Sequence, residues 1–145
     1  MVIPRFVGQA LKNQPITVFG NGKQTRCFLH VQDAVGAMAA LIQDARAYGQ
    51  VFNIGSQEEV SIADLAAKII THTLSKSSIV TVPYSEAYEE GFEDMERRVP
   101  DIGKINRLIG FKPTKNLDEI IQGVVGHARS SLPSAQEPAH AANID

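Results

Sequence analysis

The stretch "ITVFGNGKQTRCFLHVQD", residues 16–33, decides how this chain is read. A β-like run, Ile16 to Phe19, leads into Gly20-Asn21-Gly22, and a second β-like run, Arg26 to Val31, follows. Two glycines in this spacing after a strand could open a dinucleotide-binding fingerprint. That fingerprint needs a third glycine and then a helix, so that pyrophosphate meets free N–H groups at a helix N-terminus. Here the third position is Thr25, and "RCFLHV" is aromatic and β-branched rather than helical. Asn-Gly between two strands predicts a tight hairpin turn instead. The turn accounts for the glycines but not for Arg26. A guanidinium in an apolar strand needs its charge met, either by a carboxylate of the fold or by an anion that its planar fork can grip.

The rest of the chain sets the bounds. Its 145 residues are 43% hydrophobic and 21% charged, enough for one core. A net charge of −2 argues against a broad nucleic-acid or membrane surface. The single cysteine, Cys27, has no internal partner and fits a reducing, cytoplasmic setting. No apolar run reaches the roughly 20 residues of a membrane helix, and Met1 to Arg5 lack a signal peptide's apolar core.

Periodicity supplies the elements. Phe6, Val7, Ala10 and Leu11 share a helical face, with Pro4 in the first turn and Asn13-Gln14-Pro15 as the stop. Asp33 stands at an N-cap position before "AVGAMAALIQDARAYG", and Gly49 reads as that helix's end. "QVFNIG" reads as a short strand. Ser61, with Asp64 three residues on, caps a helix that buries Ile62, Leu65, Ala66, Ile69 and Ile70. "SIVTVP" alternates like a strand. Residues 84–99 read as an exposed acidic loop in which Arg97 and Arg98 face Glu89, Glu90, Glu93 and Glu96. Asp101 precedes a helix closed by Gly110, and "LDEIIQGVVGHARSS" is a final amphipathic helix. Residues 133–145 read as a disordered tail, leaving 1–132 as one portion. The alternation predicts a mixed α/β class. Four short strands cannot cover all the apolar helix faces, so some surface expects a partner.

Several chemistries drop out. Gly55-Ser56 continues as Gln57-Glu58, so no nucleophile elbow forms. His30, His72, His127 and His140 lack metal-ligand spacing, and no metal is expected. The arginines stay open to two readings: Arg26 and the Arg97-Arg98 pair are structural if carboxylates or water meet their charges, and two arginines that converge on one pocket would instead suit a phosphate group.

"ITVFGNGKQTRCFLHVQDAV", "VFNIGS" and "RRVPDIGKINRLIGFKPTKNLDEII", in that order, resemble the C-terminal half of NAD-dependent nucleotide-sugar epimerases, dehydratases and decarboxylases of the extended short-chain dehydrogenase/reductase family. The resemblance runs from Met1 to about Arg129. It implies the substrate-binding portion of such an enzyme, clamping the nucleoside diphosphate of a nucleotide sugar. By resemblance, Arg26 and Arg98 contact the diphosphate, Gln24 and Asn53 line the nucleotide pocket, and Phe19, Val2 and Phe6 lie near the base. His30 stands where the family often has tyrosine, and is read as packing.

The departure from the family is large. Its glycine-rich cofactor loop and its Tyr-x-x-x-Lys pair belong to the other, Rossmann half. Tyr48, Tyr84 and Tyr88 have no lysine four residues later. NAD is therefore expected in the complete family enzyme and not on this chain alone, which has no catalytic residue of its own. Met1 reads as an internal start or the start of a truncated gene. The expected partners are a nucleoside-diphosphate sugar, the missing Rossmann half, and a second copy through homodimerisation or self-association. The alternatives are a non-catalytic binding subunit and an inactive gene fragment.

Overall fold

A computed structural model describes residues 1–87 and 94–131. Glu89, Glu90, Glu93 and the expected tail at 133–145 lie outside the described residues. The order of elements is α1 (Val2–Leu11), β1 (Ile16–Phe19), β2 (Thr25–Cys27), α2 (Val31–Ile42), a 3-10 turn (Ala45–Ala47), β3 (Glu59–Ser61), α3 (Ile62–Thr73), β4 (Ile79–Val82), α4 (Tyr84–Ala87), β5 (Arg97–Arg98), α5 (Gly103–Ile109) and α6 (Leu117–Ser131). The mixed α/β class is as expected.

The opening stretch folds differently from its reading. β1 and β2 do not form a hairpin. β1 pairs in parallel with β4, Ile16 opposite Ile79 through Phe19 opposite Val82. β2 lies in a second sheet, antiparallel to β3 and parallel to β5. The turn between them explains why. Gly20 and Gly22 both take φ of +72°, a conformation that favours glycine. The Gly20 N–H still donates to the Val82 carbonyl at 2.8 Å, completing the first ladder. Asn21 Oδ1 then accepts from the Lys23 N–H at 2.9 Å, an Asx turn that steers the chain away. Gly22 is buried, and a Cβ there would stand 3.1 Å from both Ala63 Cβ and Val18 Cγ1. The chain thus lands on the start of α3. The carbonyls of Gln24 and Gly22 accept from the N–H groups of Ile62 (3.1 Å) and Ala63 (3.0 Å). Ser61 Oγ accepts from the Asp64 N–H at 3.0 Å, the cap expected from the sequence. Three otherwise unpaired amides of the α3 N-terminus are satisfied in this way.

The main core lies between α1, β1, α3 and α6. Phe6, Val7, Ile16, Val18, Leu65, Ile69 and Ile121 are fully buried in it. Each such side chain contributes roughly 1.5–3 kcal/mol by leaving water. A smaller cluster gathers Ala37 of α2, Ile102, Ile105 of α5 and Phe111, with Phe52 and Ile54 packed against it. Two carboxylates tie the clusters together. Asp33 accepts from the Thr114 hydroxyl (2.6 Å), the Thr114 N–H (3.1 Å) and the Lys115 N–H (3.3 Å). Glu58 accepts from the Leu117 N–H at 3.1 Å, at the start of α6.

Other expectations shift for local reasons. The strand expected over Arg26 to Val31 stops at Cys27, and α2 begins at Val31. His30, not Asp33, is its cap: His30 Nδ1 accepts from the Gln32 N–H at 3.2 Å. Asp33 sits inside the first turn and spends its carboxylate on the distant loop. Gly49 does not end α2, which stops at Ile42. It turns the chain after the 3-10 segment, with φ of +70°. Residues 51–54 alternate between exposed and half-buried, as a strand would, but pair with no strand among the described residues. Asp101 lies one residue before the N-cap of α5, and its Oδ1 accepts from the Gly103 N–H at 2.7 Å. Gly110 closes α5 in the left-handed conformation, as expected. The expected loop at 84–99 contains α4 at one end and β5 at the other.

Candidate functional site

β5 brings the two chemical arginines together. Arg26 of β2 and Arg98 of β5 are register partners on adjacent parallel strands. Such partners project to the same face of a sheet. Both line an open cleft of about 510 Å³, with Met1 just before α1, Val2 and Arg5 of α1, and Phe19, Gln24, Cys27, Phe28, Ile62, Tyr84 and Asp94. Of the residues singled out in the sequence, Val2, Phe19, Gln24, Arg26 and Arg98 therefore share one cavity. Asn53 lines an adjoining cavity of about 460 Å³, which also touches Arg26 and Arg98. Its Nδ2 donates to the Asp101 carbonyl at 3.2 Å. Phe6 is different: it is wholly buried in the main core and does not line the cleft. It is placed there by the same face that packs Ile3, Val7 and Ala10.

Arg26 and Arg98 differ in their surroundings. Arg26 is partly buried, at 22% side-chain exposure, and ion-paired through Nη2 with Asp94. Its Nη1 donates to the carbonyls of Thr25 (2.7 Å) and Met95 (2.8 Å). Arg98 is exposed, and among the described residues its guanidinium makes no hydrogen bond or ion pair. Arg97 grips not the expected Glu96 but Glu59 of β3, its fork reaching the carboxylate at 2.6 and 3.0 Å. That hydrogen-bonded pairing holds the Glu59 carboxyl below its ordinary range and lifts Arg97 above its own.

Three residues that sequence reasoning passed over complete the cleft. Arg5 donates to the Thr17 carbonyl at 3.0 Å and lies over the Phe19 ring, 4.5 Å from its centroid. That cation–π contact fixes one wall and adds positive charge. Tyr84 donates to Asp94 Oδ2 at 2.8 Å, and Gln24 Nε2 donates both to the Tyr84 hydroxyl and to the Phe19 carbonyl, each at 2.9 Å. Among the described residues Gln24 Oε1, which is buried, has no hydrogen-bond partner. The only sequence signal for Tyr84 is its place next to Pro83 at the end of a strand. Arg5 carries none beyond its charge on an apolar helix. Cys27 also lines the cleft, and burial, with Glu59 nearby, pushes its thiol up, so it is no ready nucleophile.

The arrangement suits an anion between Arg26 and Arg98, with an apolar and aromatic end at Val2 and Phe19. It does not suit the pyrophosphate of NAD at Gly20-Gly22. Those glycines lead into β2, not a helix, and the Gly22 carbonyl is spent on Ala63. Among the described residues there is no group of three or more histidine, cysteine or acidic side chains that could hold a metal. No described helix is long and apolar enough to cross a membrane.

Comparison with known proteins shows the family and the fold. The profile of the family described as GDP-mannose 4,6 dehydratase matches residues 1–124. A UDP-N-acetyl-alpha-D-glucosaminuronate decarboxylase of Bacillus cytotoxicus is 43% identical over 125 residues, 83% of this chain and 39% of that protein. UDP-glucuronic acid decarboxylase 1 of Danio rerio is 35% identical over 118 residues, 81% of this chain and 26% of that protein. The chain thus spans about two-fifths or less of these relatives. Among solved structures, UDP-glucose 4-epimerase of Thermotoga maritima, with UDP-glucose, superposes with a TM-score of 0.81 at 23% identity, over 92% of this chain and 40% of that one. UDP-glucuronic acid 4-epimerase of Bacillus cereus, in complex with NAD, gives a TM-score of 0.76 at 24% identity, over 90% and 39%.

Proposed function

The chain belongs to the GDP-mannose 4,6-dehydratase family of nucleotide-sugar epimerases, dehydratases and decarboxylases, within the extended short-chain dehydrogenases/reductases, and from this premise we propose that its cleft clamps the nucleoside diphosphate of a nucleotide sugar. The observation that carries the reading is the pairing of Arg26 with Arg98 in register across β2 and β5, both facing one cleft. Two guanidiniums on one face present several N–H groups to the two phosphates of a diphosphate. Arg5 adds a third positive charge at the rim. Gln24 and Asn53 supply polar contacts to the nucleotide, and Val2 and Phe19 form the apolar end for the base. Phe6 supports Arg5 and Phe19 from the core: the Arg5 guanidinium lies 5.3 Å from its ring centroid. The relatives' names favour uridine diphosphate sugars as the substrate class.

In a complete enzyme of this family, NAD would take hydride from a sugar carbon. The residues of this chain do not fit NAD, and its part is to bind and orient the substrate. A tyrosine base paired with lysine is absent from the sequence, so the role proposed for this chain is non-catalytic on its own. Whether the cofactor half is carried on the same polypeptide or on a separate subunit, the clamp is the same.

Titration of the chain with UDP, read by calorimetry, tests the reading. Arg26→Ala and Arg98→Ala should each raise the dissociation constant about tenfold or more, since a charge-assisted contact contributes roughly 1.5–3 kcal/mol. If UDP affinity per folded molecule is the same in all three proteins, the clamp is wrong and both arginines are architecture.

A further inference from the structure

Arg26 is already occupied. Both hydrogens of its Nη1 go to backbone carbonyls, those of Thr25 and Met95. Its Nη2 is held by Asp94 Oδ1. A guanidinium has five N–H groups, so what remains is one hydrogen on Nη2 and the Nε–H. A bidentate grip on a phosphate needs two parallel N–H groups on one edge. With Nη1 spent on the backbone, that edge is Nε with Nη2, and Asp94 already holds its Nη2. The carboxylate is also held from behind, because Tyr84 donates to its Oδ2 at 2.8 Å and Gln24 braces Tyr84.

We propose that Asp94 is an internal stand-in for the substrate's phosphate, occupying Arg26 in the empty cleft and surrendering it when the diphosphate arrives. The proposal rests on the nucleoside-diphosphate reading and says how that site sets its affinity. Two features suit an exchange rather than a fixed structural pair. First, the two bonds from Nη1 to main-chain carbonyls keep the guanidinium in place whether or not Asp94 is bound, so the arginine is aimed before the ligand comes. Second, Asp94 keeps a partner after release, because the Tyr84 hydroxyl can hold it through Oδ2 while Oδ1 lets go. Asp94 is only partly buried, at 26% side-chain exposure, so its released oxygen can take water. A diphosphate carries more negative charge than a carboxylate and also reaches Arg98, which a carboxylate on Arg26 does not. The exchange therefore favours ligands with two linked phosphates over smaller anions. Asp94 is a specificity-determining residue: it raises the threshold for any anion that cannot use both arginines.

The test uses the chain itself with three probes, UDP, inorganic phosphate and uridine. Asp94→Asn keeps the shape and the Tyr84 contact but removes the charge. It should tighten UDP binding about tenfold, comparable to one charge-assisted contact. It should tighten inorganic phosphate at least as much, and leave uridine unchanged. In the double variant with Arg26→Ala the gain should vanish. A second measurement covers poor folding of the variant: in the wild type, the carbon-13 resonance of the Asp94 carboxyl should shift on adding UDP and stay put with uridine. Wild-type UDP binding that depends on Arg26, combined with an Asp94→Asn variant that binds no more tightly or a carboxyl resonance that does not move, overturns the stand-in and leaves the clamp intact. Failure of UDP to bind any form overturns both.

Discussion

Arg26 and Arg98 sit side by side in register on parallel strands, although about half the chain's length separates β2 from β5. The next pair in the same ladder, Thr25 with Arg97, points to the opposite face. The adjacent arginines Arg97 and Arg98 are thereby sorted into different jobs by the period of a two-residue strand. Arg97 grips Glu59 of β3, a strand-to-strand pair on one face, and Arg98 opens onto the cleft on the other.

That sorting predicts contrasting variants. Arg98→Ala should weaken UDP binding about tenfold or more and leave the melting temperature nearly unchanged, because its guanidinium has no described partner to lose. Arg97→Ala should leave UDP affinity unchanged. Calorimetry and thermal melts on the two variants decide it. Equal losses of UDP affinity would show that the alternation across β5 does not sort them.

Gly20 couples the turn to the cleft. Its φ of +72° disfavours any side chain, and a Cβ there would collide with Tyr84 Cε2. Gly20→Ala should destabilise the chain by more than about 1 kcal/mol from the backbone alone. Because the Tyr84 ring must then move, the variant should also disturb the hold on Asp94. Urea denaturation measures the first effect. An alanine variant as stable as the wild type would show that the turn tolerates the change.

The helices were legible because their apolar faces repeat: α1 and α3 bury most of the positions that periodicity picks out, with Leu11 and Ile70 half-buried, and Ser61 caps α3 as its capping box predicts. The pairing of strands was not. Asn21-Gly22 is a strong hairpin signal locally, but Ile16 to Phe19 found a partner in Ile79 to Val82 through non-local contacts that no short window contains. The same applies to β5, where two arginines in an acidic stretch carry no strand propensity and pair because β2 has an open edge. Arg26 and Arg98 could be singled out by resemblance, while Asp94, Tyr84 and Arg5 become visible only when the fold brings them to the same cavity. Phe6 shows the reverse, since a helix-face residue near the chain start reads equally as core or as pocket.

An exposed stripe on α2 gives a further expectation. Val31, Val35, Met38 and Ile42 recur at helical spacing and are exposed by 47–72%. Apolar surface left in water is unfavourable by roughly 25 cal/mol per Å². The chain on its own should therefore self-associate as its concentration rises, with the association weakened by Val35→Glu or Met38→Glu at unchanged melting temperature. Sedimentation velocity reads this out. A clean monomer over the whole concentration range would count against it.

Asp33 makes the sharpest pH prediction. Burial disfavours its charged form, but the hydrogen bonds from the Thr114 hydroxyl and from the Thr114 and Lys115 N–H groups outweigh that and hold its carboxyl below the usual range. The sign follows from linkage. A carboxyl whose value is lower in the folded chain than in the unfolded one stabilises the fold fully above the unfolded value, about 3.9, and loses that contribution as pH falls through the folded value. Stability should therefore be flat near neutrality with respect to this group and fall below about pH 4. Asp118, held low by its hydrogen bonds from His72 and Lys68, shifts stability in the same direction, so Asp33 must be separated by a variant. Asp33→Asn cannot accept from all three donors at once, and leaving one of the loop's polar groups without its partner costs about 1–3 kcal/mol. The variant should be less stable than the wild type at pH 7, and the gap between them should shrink as the pH is lowered through 4 towards 2, because the wild type's own carboxylate is then protonated. Denaturant midpoints for the two proteins across that range measure the gap. A gap that stays constant with pH would mean that the Asp33 charge contributes nothing to holding residues 114–115 against α2.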